Sequence, residues 1–420
     1  MTLAAPVESL PFKGLVRARA ALLARDAANL ALRGSRTVLF GRCTAPSEPR
    51  NIVVYFVGNL GDIVVGIPTL VAIRERYPGA RITLLTCRGA AHQPGATDVL
   101  RGADYLDAIE EYPLADTRSF SGLVKLVRTA TRLRPDLFVM LPPVRSTVRA
   151  LARDEIFARA CGAAFVSGLQ VDLLDVFLKD QARYLGERPR EVDRILASVR
   201  ELGISTADVR FALPPPEVEE RERIAEQVAA LEGPFAVVCP GGKQTGHLWP
   251  VERFGAVAAR LRGEARLPIV TIGIETERPT CERTLAMAGG GLDLSGRLSV
   301  LGTAELLRHA RLLLTNDTGP MHLAAAVGTP VVAIFSSNDL AGRWYPYGPG
   351  HEVFRAALVC EECLWAPVRT DHCVRRISID DVWAGCLRAL SRAKSAFTSV
   401  PCFPPHQAPR ESGGEPADRG

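Results

Sequence analysis

The run from Arg311 to Phe335, RLLLTNDTGPMHLAAAVGTPVVAIF, constrains the fold more than any other part of the chain. Leu312–Leu314 and Pro330–Phe335 are continuous apolar segments rather than alternating ones. Such segments are typical of strands that are buried on both faces of a parallel sheet. The short polar stretch and helix-forming residues between them predict a strand, turn, helix and strand in succession.

The polar turn of this run, Asn316-Asp317-Thr318-Gly319, precedes a predicted helix over Met321–Val327. Thr318 can act as the N-cap, and Pro320 suits the first helical position. The positive end of this helix would point to the carboxyl ends of the strands, where an anion is the natural occupant. His322, in the first turn, can donate to an anion or pack against the loop, and packing is the commoner role.

The alternation of buried strand, polar loop and helix recurs along most of the chain. The predicted strands are Ile52–Val57, Arg81–Thr86, Tyr105–Ile109, Leu137–Leu141, Phe235–Cys239 and Pro268–Gly273, and the predicted helices are Asp62–Tyr77, Ser121–Leu133, Ser146–Cys161, Glu217–Leu231, Val251–Arg262, Glu277–Ala288 and Ile379–Lys394. This alternation predicts an α/β fold with parallel sheets that are covered on both faces.

The chain has 420 residues, which is comfortable for two domains. The alternation blurs between Val166 and Pro216, which ends a run of three prolines, so we place the domain boundary there. The predicted parts are a helical extension and linker over 1–50, an α/β domain over 51–213, a second α/β domain over 214–398, and a disordered tail over 399–420. The loops at the carboxyl ends of the strands would face each other across a central cleft.

Composition and charge narrow the class of protein. The chain is 47% hydrophobic and 23% charged, as expected for a globular enzyme, and its net charge of +5 is too small to argue for nucleic acid. Most of the ten cysteines lie in apolar runs, which predicts buried thiols in a reducing compartment. Without a long apolar run or a signal peptide, a cytoplasmic location is expected. A basic helix over Leu10–Arg33 could lie on the inner membrane, or pack on the domain as most such helices do.

Asp62 is the candidate catalytic residue of the first domain. It follows a strand and the turn Gly58-Asn59-Leu60-Gly61, where Gly58, Asn59 and Gly61 are expected to border an acceptor. Gly61 and Gly66 would let a bulky acceptor come close. Capping of the helix explains Asp62 well, and the alternative is a general base at the cleft rim. The chain lacks G-x-G-x-x-G followed by an acid, so nicotinamide binding and an oxidoreductase are poorly supported.

The candidate donor site of the second domain uses the glycine-rich loop Pro240–Pro250, where Lys243 or His247 could neutralise a diphosphate. Glu275, just past a predicted strand, is placed to bind a ribose hydroxyl. No D-x-D pair stands at a strand end to hold a divalent ion, so a helix dipole and side-chain cations would have to stabilise the phosphates.

A small cysteine cluster lies near the end of the second domain: Cys360, Cys363 and Cys373, with His372 beside the last. Zinc normally requires four well-spaced ligands, so local packing is favoured over a metal site.

Several segments together resemble the heptosyltransferase family, glycosyltransferase family nine. They are GNLGDIVVGIPTL (58–70), YPGA (77–80), PGGK with WPVERF (240–254), LSGRLSV (294–300), TNDTGPMHLAAAVGTPVVAIF (315–335) and YPYGP (345–349). The resemblance extends from about Asn51 to Leu390, and the long segment in the second half is highly specific. The family usually has a lysine two residues before the Trp-Pro pair, where this chain has His247.

The resemblance implies a type B glycosyltransferase fold, with two Rossmann-like domains around a cleft. It implies an inverting, metal-independent enzyme that moves a sugar, typically heptose from ADP-heptose, to a lipopolysaccharide core or related glycan. Asp62 resembles the family's base, and Asp317, Thr318 and Gly319 resemble the turn that holds the donor's sugar and diphosphate. Lys243 falls in the phosphate-facing loop. The alternative function is a non-catalytic sugar-nucleotide or glycan-binding protein with the same fold.

Overall fold

The structure, a computed structural model, describes residues 44–88, 94–141, 148–170, 188–207, 209–242, 248–336, 341–355 and 372–396, with Leu23, Ala27 and Ala31 as isolated helical positions. The rest of the predicted leader helix, the tail, Lys243, His247, Cys360, Cys363 and the side chains of His372 and Cys373 lie outside the described residues.

The first half alternates strands and helices from the start of the predicted first domain. Its elements are β1 (Asn51–Tyr55), α1 (Leu60–Arg76), β2 (Arg81–Arg88), α2 (Ala96–Leu100), β3 (Ala108–Pro113), a 3₁₀ turn (Leu114–Arg118), α3 (Phe120–Arg132), β4 (Leu137–Met140), α4 (Val148–Ala160), β5 (Phe165–Ser167) and α5 (Glu191–Ala197).

The second half repeats this alternation. Its elements are α6 (Val218–Ala229), β6 (Ala236–Cys239), α7 (Val251–Gly263), β7 (Ile269–Thr271), a 3₁₀ turn (Glu275–Glu277), α8 (Arg278–Ala288), β8 (Leu292–Asp293), α9 (Val300–His309), β9 (Leu312–Asn316), α10 (Gly319–Ala326), β10 (Val331–Phe335), β11 (Glu352–Arg355), α11 (His372–Arg375) and α12 (Ile379–Ala396).

Within the described residues, the strands form two sheets in which every pairing is parallel. The first sheet has the order β3-β2-β1-β4-β5, and the second has the order β11-β10-β9-β6-β7-β8. The central strands β1 and β9 are therefore flanked on both sides. The loops that follow β1 and β9 lie at the carboxyl ends of the strands, where parallel sheets bind ligands.

Three hydrophobic clusters hold the layers together. The largest contains residues of both halves, including Ile63 and Ile67 of α1 and Leu306 and Leu323 of the second half. A second cluster belongs to the second half, and a third packs α3 and α4 against the first sheet. The two halves thus share one apolar core on their inner faces, while each keeps a separate core on its outer face.

The segment WPVERF ties α7 to the last helix of the fold. The indole Nε1 of the buried Trp249 donates to the carbonyl of Ile377 at 3.1 Å, and Nη1 of Arg253 donates to the same carbonyl at 2.6 Å. Arg253 also donates to the carbonyl of Arg375 at 2.6 Å. These contacts fix the chain just before α12 against the sheet, so this motif is structural.

The predicted fold class, two α/β halves with parallel sheets, is confirmed. The predicted strand over Tyr105–Ile109 is wrong, because the strand spans Ala108–Pro113 and Tyr105 lies in the preceding turn, buried in the shared core. The blurred region after Val166 contains the helix α5, which was not predicted. Helix α5 packs on α1 of the first half, whereas α6 packs on α9 of the second half. The predicted boundary at 213/214 falls between α5 and α6.

Candidate functional site

The turn after β1 holds Asp62 at the third position of α1. Its Oδ2 accepts a hydrogen bond of 2.7 Å from the backbone N–H of Asn59. Gly58 leaves room for this arrangement, because a methyl group there would lie 2.2 Å from Cβ of Asp62. The capping contact expected from the sequence is therefore present, and the half-buried carboxylate stays at the carboxyl end of β1.

The turn after β9 brings Thr318 to the N-cap position of α10, in an extended conformation. Its hydroxyl makes hydrogen bonds to Oγ1 of Thr315 at 3.1 Å and to the carbonyl of Asn316 at 3.4 Å, and not to the helix. Thr318 is thus the N-cap residue, as predicted, but its hydroxyl does not bond to a helix amide. Asp317 and Gly319 flank it and are half-buried.

Asn316 is a structural anchor. Its side chain is 1% exposed, and its Nδ2 donates to the carbonyls of Pro240 and Gly241 at 3.0 and 3.3 Å. Its Oδ1 accepts from the backbone N–H of Trp249 at 3.0 Å. The predicted contact of this side chain with the donor is replaced by contacts that hold both ends of the loop carrying Lys243 beside the end of β9.

The N-terminal turns of α1 and α10 touch each other. A methyl group at Gly319 would lie 2.6 Å from Cδ2 of Leu60, and one at Gly61 would lie 3.0 Å from Cδ2 of His322. These two glycines therefore allow the halves to approach closely. The contact also brings Asp62, next to Gly61, close to the N-terminal turn of α10.

This contact corrects two expectations for the first half. Gly61 was expected to border an acceptor, but His322 occupies the space next to its Cα. Gly66, to which the same reasoning applied, is buried, and a methyl group there would lie 2.3 Å from Cε1 of Phe56. The exposed Asn59 and half-buried Gly58 remain at the surface of the turn.

His322 is packed within the contact between the halves. It is 5% exposed, lies against Gly61, and its ring centroid is 6.0 Å from that of Trp344. Burial lowers the pKa of His322 to about 4. The imidazole is therefore neutral near neutral pH, and the packing role favoured from the sequence is the one present here.

A buried ion cluster that the sequence did not suggest lies beside this contact. Glu191, the first residue of α5, is bonded by Arg194 at 2.8 Å and lies 3.8 Å from Nε of Arg343. All three are at least 96% buried. Burial raises the pKa of Glu191 and the nearby Asp62 carboxylate adds to this, while the two arginines oppose it. Asp62 therefore lies within electrostatic reach of the cluster.

The same cluster fastens one half to the other. The backbone N–H of Glu191 donates to the carbonyl of Arg343 at 2.7 Å, and that of Arg188 donates to the carbonyl of Ala341 at 2.7 Å. Nη1 of Arg343 donates to the carbonyl of Pro189 at 3.0 Å. The partners are far apart in the chain, so no local spacing could have shown them.

Glu275 lies past the end of β7, as predicted. Its carboxylate is 69% exposed and pairs with Arg278 at 2.6 Å, which lowers the pKa of Glu275. A second carboxylate, Glu277, was missed: a methyl group at Gly241 would lie 2.3 Å from its Cδ, and it accepts from the N–H of Ile274 at 2.9 Å. The sequence feature that could have pointed to Glu277 is its E-x-E spacing with Glu275.

In the parts of the chain that the structure describes, no group of three or more His, Cys, Asp or Glu side chains is arranged to hold a metal ion. Every helix in those parts is too short or too polar to cross a membrane.

Two parallel sheets whose strand ends meet through the first turns of α1 and α10 define a type B glycosyltransferase fold. The crystal structure of the glycosyl transferase family 9 protein from Veillonella parvula DSM 2008 has this fold, with a TM-score of 0.65, 19% identity, and coverage of 83% of this chain and 100% of that chain. The E. coli ADP-heptose lps heptosyltransferase II matches with a TM-score of 0.59 and 18% identity, covering 82% of this chain and 99% of that chain.

The sequence profile of glycosyltransferase family 9 (heptosyltransferase) matches residues 156–373, and the chain belongs to this family. Lipopolysaccharide heptosyltransferase 3 of Escherichia coli is 27% identical over 128 residues, which is 30% of this chain and 38% of the relative. Lipopolysaccharide heptosyltransferase 1 of Pseudomonas aeruginosa PAO1 is 31% identical over 148 residues, 34% of this chain and 40% of the relative. The matched segments thus span well under half of either relative.

Proposed function

We propose that this chain is an inverting, metal-independent glycosyltransferase. It would move a heptose-like sugar from a nucleotide-diphosphate sugar, with ADP as the nucleotide, to a lipopolysaccharide core or related glycan acceptor. The observation that carries the proposal is the contact between the first turns of α1 and α10, because Asp62 is the third residue of α1 and α10 begins at Gly319. Membership of the family and the heptosyltransferase relatives support the choice of sugar and acceptor.

In the proposed reaction, Asp62 accepts the proton of the acceptor hydroxyl as its oxygen attacks the anomeric carbon. The new C–O bond forms as the bond from that carbon to the phosphate oxygen breaks, and its electron pair leaves with the nucleoside diphosphate. Attack from the face opposite the leaving group inverts the anomeric configuration. The Asn59 N–H holds the Asp62 carboxylate at the N-terminus of α1, beside the carboxyl end of β1.

The departing diphosphate needs positive charge and hydrogen-bond donors. The amides of Gly319 and of the rest of the first turn of α10 would supply donors and a helix dipole, and Lys243 would supply charge. Asp317 and Thr318 would border the donor's sugar, and Glu275 would bind a ribose hydroxyl. The neutral His322 would donate one hydrogen bond at most and would not act as a cation. The enzyme would work at the cytoplasmic side of the inner membrane, where lipid-linked acceptors are assembled.

Replacing the candidate base tests the proposal. Asp62→Asn keeps the shape and an acceptor oxygen for the Asn59 N–H but removes the proton acceptor, so we expect transfer to fall at least about a thousandfold. Thermal stabilisation by the nucleotide sugar should be nearly unchanged. The measurement is release of nucleoside diphosphate in EDTA, with ADP-, GDP-, UDP- and TDP-sugars offered in turn.

Asp98→Asn is the matched control. Asp98 is also the third residue of its helix, α2, and its Oδ2 accepts from the N–H of Gly95 at 2.8 Å, so it makes the same cap in another place. Activity near wild type is expected for this variant. If Asp62→Asn instead abolishes donor binding, Asp62 is structural. Stabilisation by a nucleotide sugar without any release of diphosphate in the wild-type protein would favour a non-catalytic binding protein.

A further inference from the structure

An apolar surface lies on the first half, at the N-terminus of α3. Phe120 is 84% exposed, which makes it the most exposed large apolar side chain among the described residues. Leu123, one turn further along α3, is 44% exposed, and Leu114, in the preceding 3₁₀ turn, is 47% exposed. These three side chains define the α3 surface. An exposed phenylalanine with apolar neighbours costs solubility, which suggests a partner.

The surroundings of the α3 surface are strongly basic. Between Leu114 and Arg134 the chain has five cations and one acid. The cations Arg118, Lys125, Arg128, Arg132 and Arg134 are all exposed. The acid, Asp116, is 18% exposed and pairs with Lys125 at 3.2 Å. The excess of four positive charges in this segment is almost as large as the net charge of +5 of the whole chain.

The face of α3 explains the arrangement. Leu126 and Ala130 belong to the core between α3 and the first sheet, and the buried Gly122 lies against the backbone of Asp116 in the 3₁₀ turn. With 100° per residue, Arg128 and Arg132 lie on the outward side, and Leu123 and Phe120 lie together on one flank. The helix therefore presents cations outward and exposed apolar side chains beside them, in addition to its buried face. This pattern is typical of helices that lie at a membrane interface.

The α3 surface and Asp62 can be located relative to each other on the first sheet. The 3₁₀ turn and Phe120 directly follow the carboxyl end of β3, an edge strand. Asp62 follows the carboxyl end of β1, two strands away in the same parallel sheet, which is about 10 Å at the usual spacing. The α3 surface and Asp62 therefore lie at the same end of the sheet. The apolar core under α3 contains residues of the first half alone, so this layer faces away from the contact between the halves.

We propose that the α3 surface docks the protein on an anionic lipid bilayer. The exposed cations bind the lipid phosphates, and Phe120, Leu114 and Leu123 enter the boundary between headgroups and acyl chains. The link to catalysis rests on the proposed function: a lipid-linked acceptor held in this bilayer would present its sugars to the end of the sheet that carries Asp62. The excess of positive charge favours an anionic lipid surface over a protein partner. Three apolar side chains are also few for a stable protein interface.

Vesicle binding by the full-length protein tests the proposal. We expect sedimentation with vesicles of phosphatidylcholine and phosphatidylglycerol, little with phosphatidylcholine alone, and weaker binding as salt rises. The charge variant Arg128→Glu with Arg132→Glu should lower the partition coefficient about tenfold or more. The apolar variant Phe120→Ser with Leu123→Ser should lower it about tenfold even at low salt. Both pairs are exposed, so the unfolding midpoint should stay close to that of the wild type.

The second half offers matched controls. Arg376→Glu reverses an exposed cation, and Leu387→Ser removes an apolar side chain that is 47% exposed on α12. Both should bind vesicles as the wild type does. Wild-type sedimentation that does not depend on phosphatidylglycerol, or α3 variants that bind like the wild type, would overturn the proposal and direct attention to the basic leader. Loss of a dimer in the α3 variants, seen by analytical ultracentrifugation, would also overturn it, because the surface would then be a subunit interface.

Activity measurements separate this inference from the proposed function. Transfer to an acceptor in vesicles should fall in the α3 variants, whereas transfer to a water-soluble acceptor fragment should stay within about twofold of the wild type. Vesicle binding without any transfer would refute the proposed function and leave the docking surface intact. Equal losses on both acceptors would overturn the docking proposal, because the variants would then act on the proposed active site itself.

Discussion

His322 illustrates how burial sets the protonation of a single side chain. It lies between Gly61 of one half and Trp344 of the other, and burial is the cause that lowers its pKa to about 4. An unfolded chain exposes the same imidazole to water, where its pKa returns to about 6.5. Between these two values the unfolded chain binds a proton that the folded protein does not.

This difference predicts a dependence of stability on pH. The free energy of unfolding should decrease as the pH falls from about 6.5 to about 4, by up to about 3 kcal/mol from His322. His322→Gln should be less stable at neutral pH because it loses packing, but its curve should be flatter over this range. Urea unfolding of both proteins at several pH values measures this. Parallel curves would mean that His322 titrates normally in the folded protein.

Some residues of the site could be predicted from the sequence because their roles depend on near neighbours. Asp62 caps α1 from three residues beyond Asn59, and spacing alone predicts this contact. Asn316 is different: its partners are the backbone of Pro240, Gly241 and Trp249, which only the folded sheet brings near. The polar side chain of Asn316 led to the prediction of a donor-binding role, but in the structure this side chain holds the two ends of the neighbouring loop.

At the scale of elements, continuous apolar runs were reliable guides. β9 and β10 are fully buried, as expected for central parallel strands, and both were predicted. The short helix α5 was missed because it begins with Glu191 and contains Arg194, both buried. Charged residues at core positions contradict the usual apolar pattern of a helix, so their partners must be known before the helix can be recognised.

The buried cluster at α5 predicts a large effect of a small change. Glu191→Gln removes the charge that compensates Arg194 and Arg343, and we expect a loss of about 3 to 5 kcal/mol in the free energy of unfolding. Urea unfolding at neutral pH is the measurement.

Glu75→Gln is the control for this change. Glu75 pairs with Arg210, but both side chains are more than half exposed, so the expected loss is below about 1 kcal/mol. Equal losses for the two variants would show that the cluster at α5 contributes no more than a surface ion pair.

At the scale of the whole molecule, two sheets are joined through side chains that meet glycines. Leu60 lies over Gly319, and His322 lies over Gly61, so each half supplies one glycine and one larger side chain. The sequence predicted two halves around a cleft, but it could not predict how closely they approach, because that distance depends on pairs of residues from different domains.

The distance between α1 and α10 can be increased by one substitution and restored by a second. Gly319→Ala adds a methyl group 2.6 Å from Cδ2 of Leu60, which should push α10 away from α1 and lower kcat/KM about tenfold or more. Leu60→Ala in the same chain makes room again and should recover most of the activity.

Gly79→Ala is the neutral control, since a methyl group at Gly79 meets no atom within 4 Å. A double variant as inactive as Gly319→Ala alone would show that the methyl group acts on the amides of α10 directly, and not through the spacing of the halves.

The hydrogen bonds from Trp249 and Arg253 to the carbonyl of Ile377 predict which residues homologues of this chain would retain. They fix the segment before α12 and involve none of the candidate site residues, so selection for a stable fold alone would preserve them. A homologue that lacks the proposed sugar transfer is therefore expected to retain WPVERF even where Asp62 is replaced.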